Sequence, residues 1–186
     1  MKRIFYYLQS IENCKKMEIE LPKNIKEHCS KYEGERFTTS VLSYSLLESI
    51  LKKFGRNIRE IRFSNNGKPL IDGGYVSISH SNDYIFVSFG DVNHGIDIQC
   101  VDHKIKKEKI MTKYFPSYLN QFKELNEEEK DDLFYKLWTK KEAYTKCYDL
   151  NILDVSEVET ANHYVFKMGP YFLCICSEEE VEIENI

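Results

Sequence analysis

The residue types best suited to metal and phosphate chemistry occur in two separate segments. Asp97 interrupts a short apolar stretch that is typical of a buried strand, where a lone carboxylate is costly unless a cation or hydrogen-bond donors compensate its charge. Trp138, Glu142 and Lys146 follow at successive steps of four, which predicts that they share one face of a helix. A strand carboxylate together with a helical carboxylate and amine could hold a metal ion and a phosphate.

Simpler interpretations of the same residues remain open. Glu142 and Lys146 could form an ordinary surface ion pair, worth about 0.2–0.5 kcal/mol on a helix, and Asp97 could cap a turn or pair with a lysine at a strand end. Gln99 shares the strand face of Asp97, so a carboxylate and an amide oxygen could point at one cation. Because magnesium prefers oxygen ligands, Asp97, Glu142 and optionally Gln99 would suit it.

Three further side chains could meet an anion. His80 lies in the run Ser-Ile-Ser-His-Ser at 77–81, where a predicted strand ends. Lys68 lies in the turn sequence Asn-Gly-Lys-Pro, and Arg36 lies at the start of the first long helix. Each has a simpler interpretation. His80 could be a hydrogen-bonded histidine between a strand and a turn, and Lys68 and Arg36 could be solvated surface cations.

The composition limits the possible classes of protein. The 186 residues are 42% hydrophobic and 30% charged, as in a globular chain of one domain or two small halves. A net charge of -4 argues mildly against nucleic-acid binding. No apolar run approaches the roughly 20 residues that span a bilayer, and residues 1–7 do not read as a signal peptide. We therefore expect a cytoplasmic protein that binds neither nucleic acid nor membrane.

The six cysteines form no Cys-x-x-Cys pair. Reduced, buried thiols are the main interpretation, and Cys174 and Cys176 are predicted to lie on one face of a strand. A zinc site is the minor alternative, since the spacings match no usual ligand pattern.

Periodicity and turn residues predict a mixed order of helices and strands. Helices are expected at 39–54, 104–113 and 117–125 and from Asn126 onward, where Glu129 completes a capping box. Strands are expected at 4–8, 58–63, 75–79, 84–89, 95–99 and within 155–175, and the acidic segment from 178 is expected to be frayed. The order predicts two similar halves, each with a long helix followed by strands.

Taken together, these segments resemble the 4′-phosphopantetheinyl transferases, specifically the surfactin-synthetase type with two fused halves. The matching pieces, in order, are Arg36, residues 66–69, residues 77–81, residues 95–98 and residues 138–146 with their Lys-Glu-Ala core. The resemblance implies an α+β fold, a pseudo-twofold pair of α/β halves at 1–95 and 96–186, with coenzyme A bound in the cleft between them. It further implies a monomer, because the cleft needs no second chain.

The resemblance also implies a reaction and its catalytic groups. The phosphopantetheine arm of coenzyme A moves to a serine of an acyl or peptidyl carrier protein, and adenosine 3′,5′-bisphosphate is released. Asp97 and Glu142 would ligate magnesium, with Gln99 as an optional ligand. Lys146 would contact the pyrophosphate, and Glu142 would act as the general base.

The remaining candidates would bind coenzyme A by the same resemblance. Ser79 and His80 would meet its phosphates, Lys68 would hold the nucleotide end, and Arg36 would meet the 3′-phosphate or adenine. Carrier proteins of this family are typically acidic, so the basic segment Lys104–Lys113 is predicted to face the carrier; a solvated helix face is the alternative.

Two departures from the family pattern keep other functions open. Gln99 stands where the family often has a glutamate, and Ser-Tyr-Ser at 43–45 stands where a second arginine is common. A non-catalytic homologue that binds coenzyme A or a carrier is therefore one alternative. The second alternative is a nucleotide-dependent phosphotransferase of another kind, but the sequence contains no glycine-rich phosphate loop to support it. A zinc-binding interaction module is the third alternative.

Overall fold

The computed structural model describes residues 1–17, 20–155 and 161–186 and is mixed α+β. The helices, in chain order, are α1 (Ile11–Cys14), α2 (Lys23–Cys29), α3 (Gly34–Lys53), α4 (Lys107–Tyr114), α5 (Leu119–Glu124) and α6 (Glu127–Tyr148). The strands are β1 (Arg3–Ser10), β2 (Arg62–Phe63), β3 (Pro69–Leu70), β4 (Tyr75–Ser81), β5 (Tyr84–Gly90), β6 (His94–Cys100), β7 (Asn162–Met168), β8 (Tyr171–Ser177) and β9 (Glu182–Asn185). The predicted α+β class is confirmed.

The first sheet has the order β4-β5-β1-β9, and helix α3 packs on it. Strand β5 pairs antiparallel with both β1 and β4. The apolar stripe that predicts the long helix is buried here: Leu46, Leu47, Ile50 and Leu51 are at most 1% exposed. The helix begins at Gly34, one turn and a half before the predicted start, because its first turns are polar and carry no apolar period.

The C-terminal segment corrects one expectation from the sequence. Residues 182–185 are not frayed: β9 runs parallel to β1, with Ile183 opposite Ile4. Val181 is 8% exposed and Ile183 packs against the same apolar cluster. A four-residue strand between glutamates is held by pairing with the other end of the chain, which local sequence does not show.

The second sheet has the order β6-β8-β7, and helix α6 crosses β6 at very close range. Gly95 permits this approach, because a Cβ atom there would lie 2.1 Å from the carbonyl oxygen of Ala143 and 2.3 Å from the amide nitrogen of Cys147. Cys174 and Cys176 point toward the same helix and are fully buried, as the alternation predicts. All six cysteines are free thiols.

A row of serine hydroxyls joins the edges of the two sheets. Ser77, Ser79 and Ser81 alternate along β4, and each accepts a backbone N–H of β6. The three acceptor distances are 3.1 Å from Ile96, 3.2 Å from Ile98 and 2.9 Å from Cys100. Strand β4 therefore satisfies the free edge of β6 through side chains rather than through a backbone ladder.

Other predicted boundaries shift by a few residues. Residues 58–60 form a 3-10 turn rather than a strand, because the Asn57 side chain accepts the N–H of Arg59 in a capping box. Helix α4 begins at Lys107, since Asp102 caps a turn over residues 102–104. The part of the predicted 155–175 strands at 156–160 lies outside the described residues. The predicted division between residues 95 and 96 falls inside β6 and stays a prediction.

Within the described ranges, no helix is long and apolar enough to cross a membrane.

Candidate active site

A cavity of about 420 Å³ lies where the two sheets meet. Its wall is built from the end of α2, the N-terminal half of α3, the turn before β3, strands β4 and β6 and the last turns of α6. The residues proposed from sequence for metal or ligand binding all line it: Arg36, Lys68, Ser79, His80, Asp97, Gln99, Glu142 and Lys146. The fold brings together side chains that are up to 110 positions apart in the chain.

Helix α6 supplies the late carboxylate and amine. Its start is fixed by the predicted capping box, in which Asn126 and Glu129 exchange backbone-to-side-chain hydrogen bonds of 3.0 Å each. The helix ends at Asp149, which adopts a left-handed conformation with φ 55°. Glu142 and Lys146 line the cavity, whereas Trp138, one turn earlier, packs against the apolar cluster that includes Met111 and Phe115. The influence of the Trp138 indole on Glu142 is to lower the pKa of its carboxyl group, against larger effects that raise it.

Asp97 and Lys146 form the polar centre of the site. The Lys146 ammonium lies 2.7 Å from Asp97 Oδ1, and Asp97 is only 1% exposed. Ser79 Oγ donates to the same carboxylate oxygen at 2.8 Å. The cation and the hydroxyl supply the compensation that a buried strand carboxylate requires.

Glu142 stands beside this pair and is strongly perturbed. Burial, followed by the negative charge of Asp97, raises the pKa of Glu142 to about 7, while Lys146 opposes the shift. Interaction with the neighbouring Asp97 carboxyl group thus favours the protonated form of Glu142. The site therefore holds a carboxyl pair whose second negative charge is costly unless a proton or cation is present.

This donor set fits a divalent cation. Asp97 and Glu142 are the residues that would hold Mg²⁺, which prefers oxygen ligands and would neutralise part of their negative charge. Gln99 currently donates its amide N–H to Asp97 Oδ2 at 3.1 Å, so its oxygen could ligate only after the amide turns over. Across the part of the chain that the structure describes, no three His, Cys, Asp or Glu side chains cluster as a metal site. A cation here would thus rest on two carboxylates.

Ser79 and His80 occupy different positions in the wall. Ser79 is 5% exposed, and its hydroxyl donates to Asp97 and accepts from Lys146. His80 is exposed at the cavity edge. Loss of solvent lowers the pKa of His80, and the positive charges of Lys146 and Arg36 lower it further. These effects favour the neutral imidazole, which can donate one N–H to an anion.

Lys68 is tied to the end of helix α6. Its ammonium donates to the carbonyl oxygen of Cys147 at 2.5 Å and to Asn93 Oδ1 at 2.9 Å. In the same turn, Asn66 donates to the carbonyl oxygen of Asp149 at 2.7 Å. Burial lowers the pKa of Lys68. One of its three protons therefore caps the negative end of the helix, a second is bound by Asn93, and the third remains for a ligand in the cavity.

Aromatic rings line the far end of the cavity, and the sequence analysis did not single them out. His28 stacks on Phe63 with centroids 3.7 Å apart and planes 4° from parallel, and Tyr44 meets both rings edge-on. The Arg36 guanidinium lies 4.3 Å over the Tyr32 ring. His28 comes from α2, Tyr32 from the link between α2 and α3, Arg36 and Tyr44 from α3, and Phe63 from the distant strand β2, which local sequence does not connect to the others.

The basic segment lies apart from this wall. Lys104, Lys106, Lys109 and Lys113 are exposed, as a solvent-facing surface requires. Lys107 differs, because its ammonium pairs with Asp131 of α6 and its side chain is 10% exposed. The exposed positive charge of the segment therefore comes from four lysines rather than five.

Comparison with known proteins gives one consistent result. Residues 93–182, which include Asp97, Glu142 and Lys146, match the 4′-phosphopantetheinyl transferase superfamily. The chain is 29% identical over 133 residues to the 4′-phosphopantetheinyl transferase ffp of Bacillus subtilis, covering 65% of this chain and 57% of that protein. It is 29% identical over 149 residues to the 4′-phosphopantetheinyl transferase Sfp of Bacillus subtilis strain 168, covering 75% and 64% respectively. The chain thus spans a little under two thirds of the length of these relatives. Residues 93–182 of the chain are therefore similar to the 4′-phosphopantetheinyl transferase superfamily.

Proposed function

We propose that this chain transfers the 4′-phosphopantetheine arm of coenzyme A to a serine of an acyl or peptidyl carrier protein. The carrier changes from the apo to the holo form, and adenosine 3′,5′-bisphosphate is released. The observation that carries the proposal is the convergence of Asp97, Glu142 and Lys146, from a strand and a distant helix, on one cavity. The similarity of residues 93–182 to the superfamily supports the same reaction.

The cavity suits a ligand with several phosphates. Its volume lies within the range of roughly 300–1,000 Å³ that is common for small-molecule sites. Arg36, Lys68 and Lys146 supply positive charge in its wall, and the rings of His28, Tyr32 and Tyr44 supply aromatic surface. Coenzyme A combines a pyrophosphate, a 3′-phosphate and an aromatic base, so both kinds of surface have a counterpart on it.

The chemical step is a displacement at phosphorus. The serine oxygen forms a bond to the pantetheine-side phosphorus, and the bond from that phosphorus to the bridging oxygen breaks. The bridging oxygen leaves with the electron pair as part of adenosine 3′,5′-bisphosphate. Glu142 takes the serine proton as the general base. Lys146 stabilises the negative charge that grows on the phosphate oxygens.

Magnesium belongs to this proposal as the third source of positive charge. Asp97 and Glu142 would hold it, with Gln99 joining after its amide turns. When bound, it would neutralise charge on the pyrophosphate oxygens. The residues of the chain would still bind the nucleotide, orient the phosphates and receive the proton.

The arrangement of two halves is also part of the proposal. One long helix packs on each sheet, α3 on β4-β5-β1 and α6 on β6-β8-β7, which supports a pseudo-twofold pair with the site in the cleft between halves. The pairing of β9 with β1 means that the second half of the chain completes the first sheet. We infer that the halves fold as one monomeric, cytoplasmic unit.

The carrier is expected to approach over the basic segment. Lys104, Lys106 and Lys109 are exposed, and acidic carrier surfaces would be attracted to them at low ionic strength. Fatty-acid, polyketide and nonribosomal-peptide carriers all fit this description.

The decisive experiment is a modification assay on a panel of these apo carriers. With coenzyme A and magnesium, the mass of at least one carrier should rise by the mass of one phosphopantetheine arm, and adenosine 3′,5′-bisphosphate should appear in equal amount. The Glu142→Gln variant should bind coenzyme A and give no product.

The alternative function is binding without transfer. The neutral amide of Gln99, in place of a third carboxylate, is the observation that favours it, because it removes one negative charge from the metal site. Tight binding of coenzyme A by the wild-type chain, with no mass change on any carrier of the panel, would establish this alternative.

A further inference from the structure

The hydroxyl of Ser79 is already fully used inside the protein. A serine hydroxyl has one proton to donate and two lone pairs to accept hydrogen bonds. Here the proton goes to Asp97 Oδ1 at 2.8 Å, and the lone pairs accept Ile98 N–H at 3.2 Å and the Lys146 ammonium at 2.9 Å. Ser79 is 5% exposed. A phosphate could reach this hydroxyl only by displacing one of these bonds.

These bonds place Ser79 between the two elements that carry the chemistry. Asp97 lies on β6 and Lys146 on α6, and their own contact of 2.7 Å closes a triangle with the hydroxyl. The lysine side chain is long and rotates freely when only one partner holds it. Asp97 and Ser79 both accept hydrogen bonds from the Lys146 ammonium and thereby fix its orientation. The third proton of the ammonium is then free to point into the cavity.

We propose that Ser79 is a positioning residue for the transfer reaction: its hydroxyl holds Asp97 and Lys146 in a fixed mutual geometry and does not itself bind coenzyme A. This inference rests on the proposed transferase function. It replaces the phosphate contact that the family resemblance implies for this residue.

The chain provides a matched control. Ser81 lies two residues further along β4, beyond the cavity-lining residues 77–80, and accepts Cys100 N–H at 2.9 Å in the same way. Ser81→Ala removes an equivalent link between the sheets without touching the Asp97–Lys146 pair. Ser79→Thr keeps the hydroxyl on a residue that strands accept well.

The kinetic test compares these three variants with the wild type. In Ser79→Ala, kcat should fall by roughly 10- to 100-fold, as when partners that orient active-site groups are removed, while KM for coenzyme A changes by less than about threefold. Ser79→Thr should recover most of kcat, and Ser81→Ala should keep wild-type kinetics. If Ser79→Ala instead raises KM for coenzyme A at unchanged kcat, the hydroxyl binds the substrate and the inference is wrong.

A second measurement works without turnover. The ammonium of Lys146 should give a slowly exchanging nitrogen-15 NMR signal in the wild type and in Ser81→Ala, assigned by its loss in Lys146→Ala. In Ser79→Ala, its exchange with water should become faster. Unchanged exchange would overturn the positioning role. A wild-type chain that transfers nothing would overturn the transferase function instead, and the ammonium signal would still decide the role of Ser79.

Discussion

Glu142→Gln should make the protein more stable while removing its activity. In the wild type, burial and the charge of Asp97 raise the pKa of Glu142 from 4.5 to about 7. A glutamine has the shape of the protonated acid: its amide N–H can donate to Asp97, and its oxygen can still accept from the Trp138 indole. The substitution therefore removes a costly charge and leaves no hydrogen-bonding group without a partner.

The size and sign of the effect follow from linkage between protonation and folding. A group whose pKa is higher in the folded state stabilises the fold fully only below its unfolded pKa, and this contribution is lost as the pH rises through the folded pKa. The window for Glu142 is pH 4.5 to about 7. At about 1.4 kcal/mol per pH unit, the loss is at most about 3 kcal/mol, and partial access of water reduces it to about 1–3 kcal/mol.

Urea unfolding in metal-free buffer at pH 4.5 and pH 8 measures this loss. Glu142→Gln should match the wild type within about 0.5 kcal/mol at pH 4.5 and exceed it by about 1–3 kcal/mol at pH 8. The comparison isolates Glu142, since other titrating groups are common to both proteins. The control is Glu128→Gln, which changes an exposed glutamate in the first turn of the same helix and should lower stability slightly. Equal stability of Glu142→Gln and wild type at pH 8 would refute the buried carboxyl pair.

Three further outcomes are expected from the same geometry. Lys146→Ala should lower kcat by more than it weakens coenzyme A binding measured by calorimetry, because Lys146 acts mainly in the transition state; an equal loss in both would assign it to ground-state binding. Charge reversal at Lys106 and Lys109 should raise KM for an acidic carrier at low salt and have little effect at high salt, whereas reversal at Lys15, exposed directly after α1, should not change KM; an unchanged KM would remove the basic segment from the carrier surface. Gly95→Ala should destabilise the fold by about 2 kcal/mol or more, measured in urea, because its Cβ would overlap the backbone of α6; wild-type stability would mean that α6 can move away from β6 at little cost.

Local sequence was sufficient for the elements whose signals are short-range. Helix α6 was recognisable from its capping box and its stripe at steps of four, because both depend only on residues within one or two turns. The strands β4, β5 and β6 were recognisable from alternation and from the turns between them. The cavity-lining candidates were recognisable because five short motifs occurred in the order of a known family.

The tertiary structure decided how these side chains are used. Ser79 and Lys68 were expected to meet a ligand, yet both hold neighbouring elements first, the former through Asp97 and the latter through the end of α6. The His28–Phe63 stack and the pairing of β9 with β1 join residues far apart in the chain. The sequence by itself determined which chemical groups are present and which local elements carry them. Their partners were decided only by folding, because a hydrogen bond or ion pair depends on distances that chain packing sets and residue order does not.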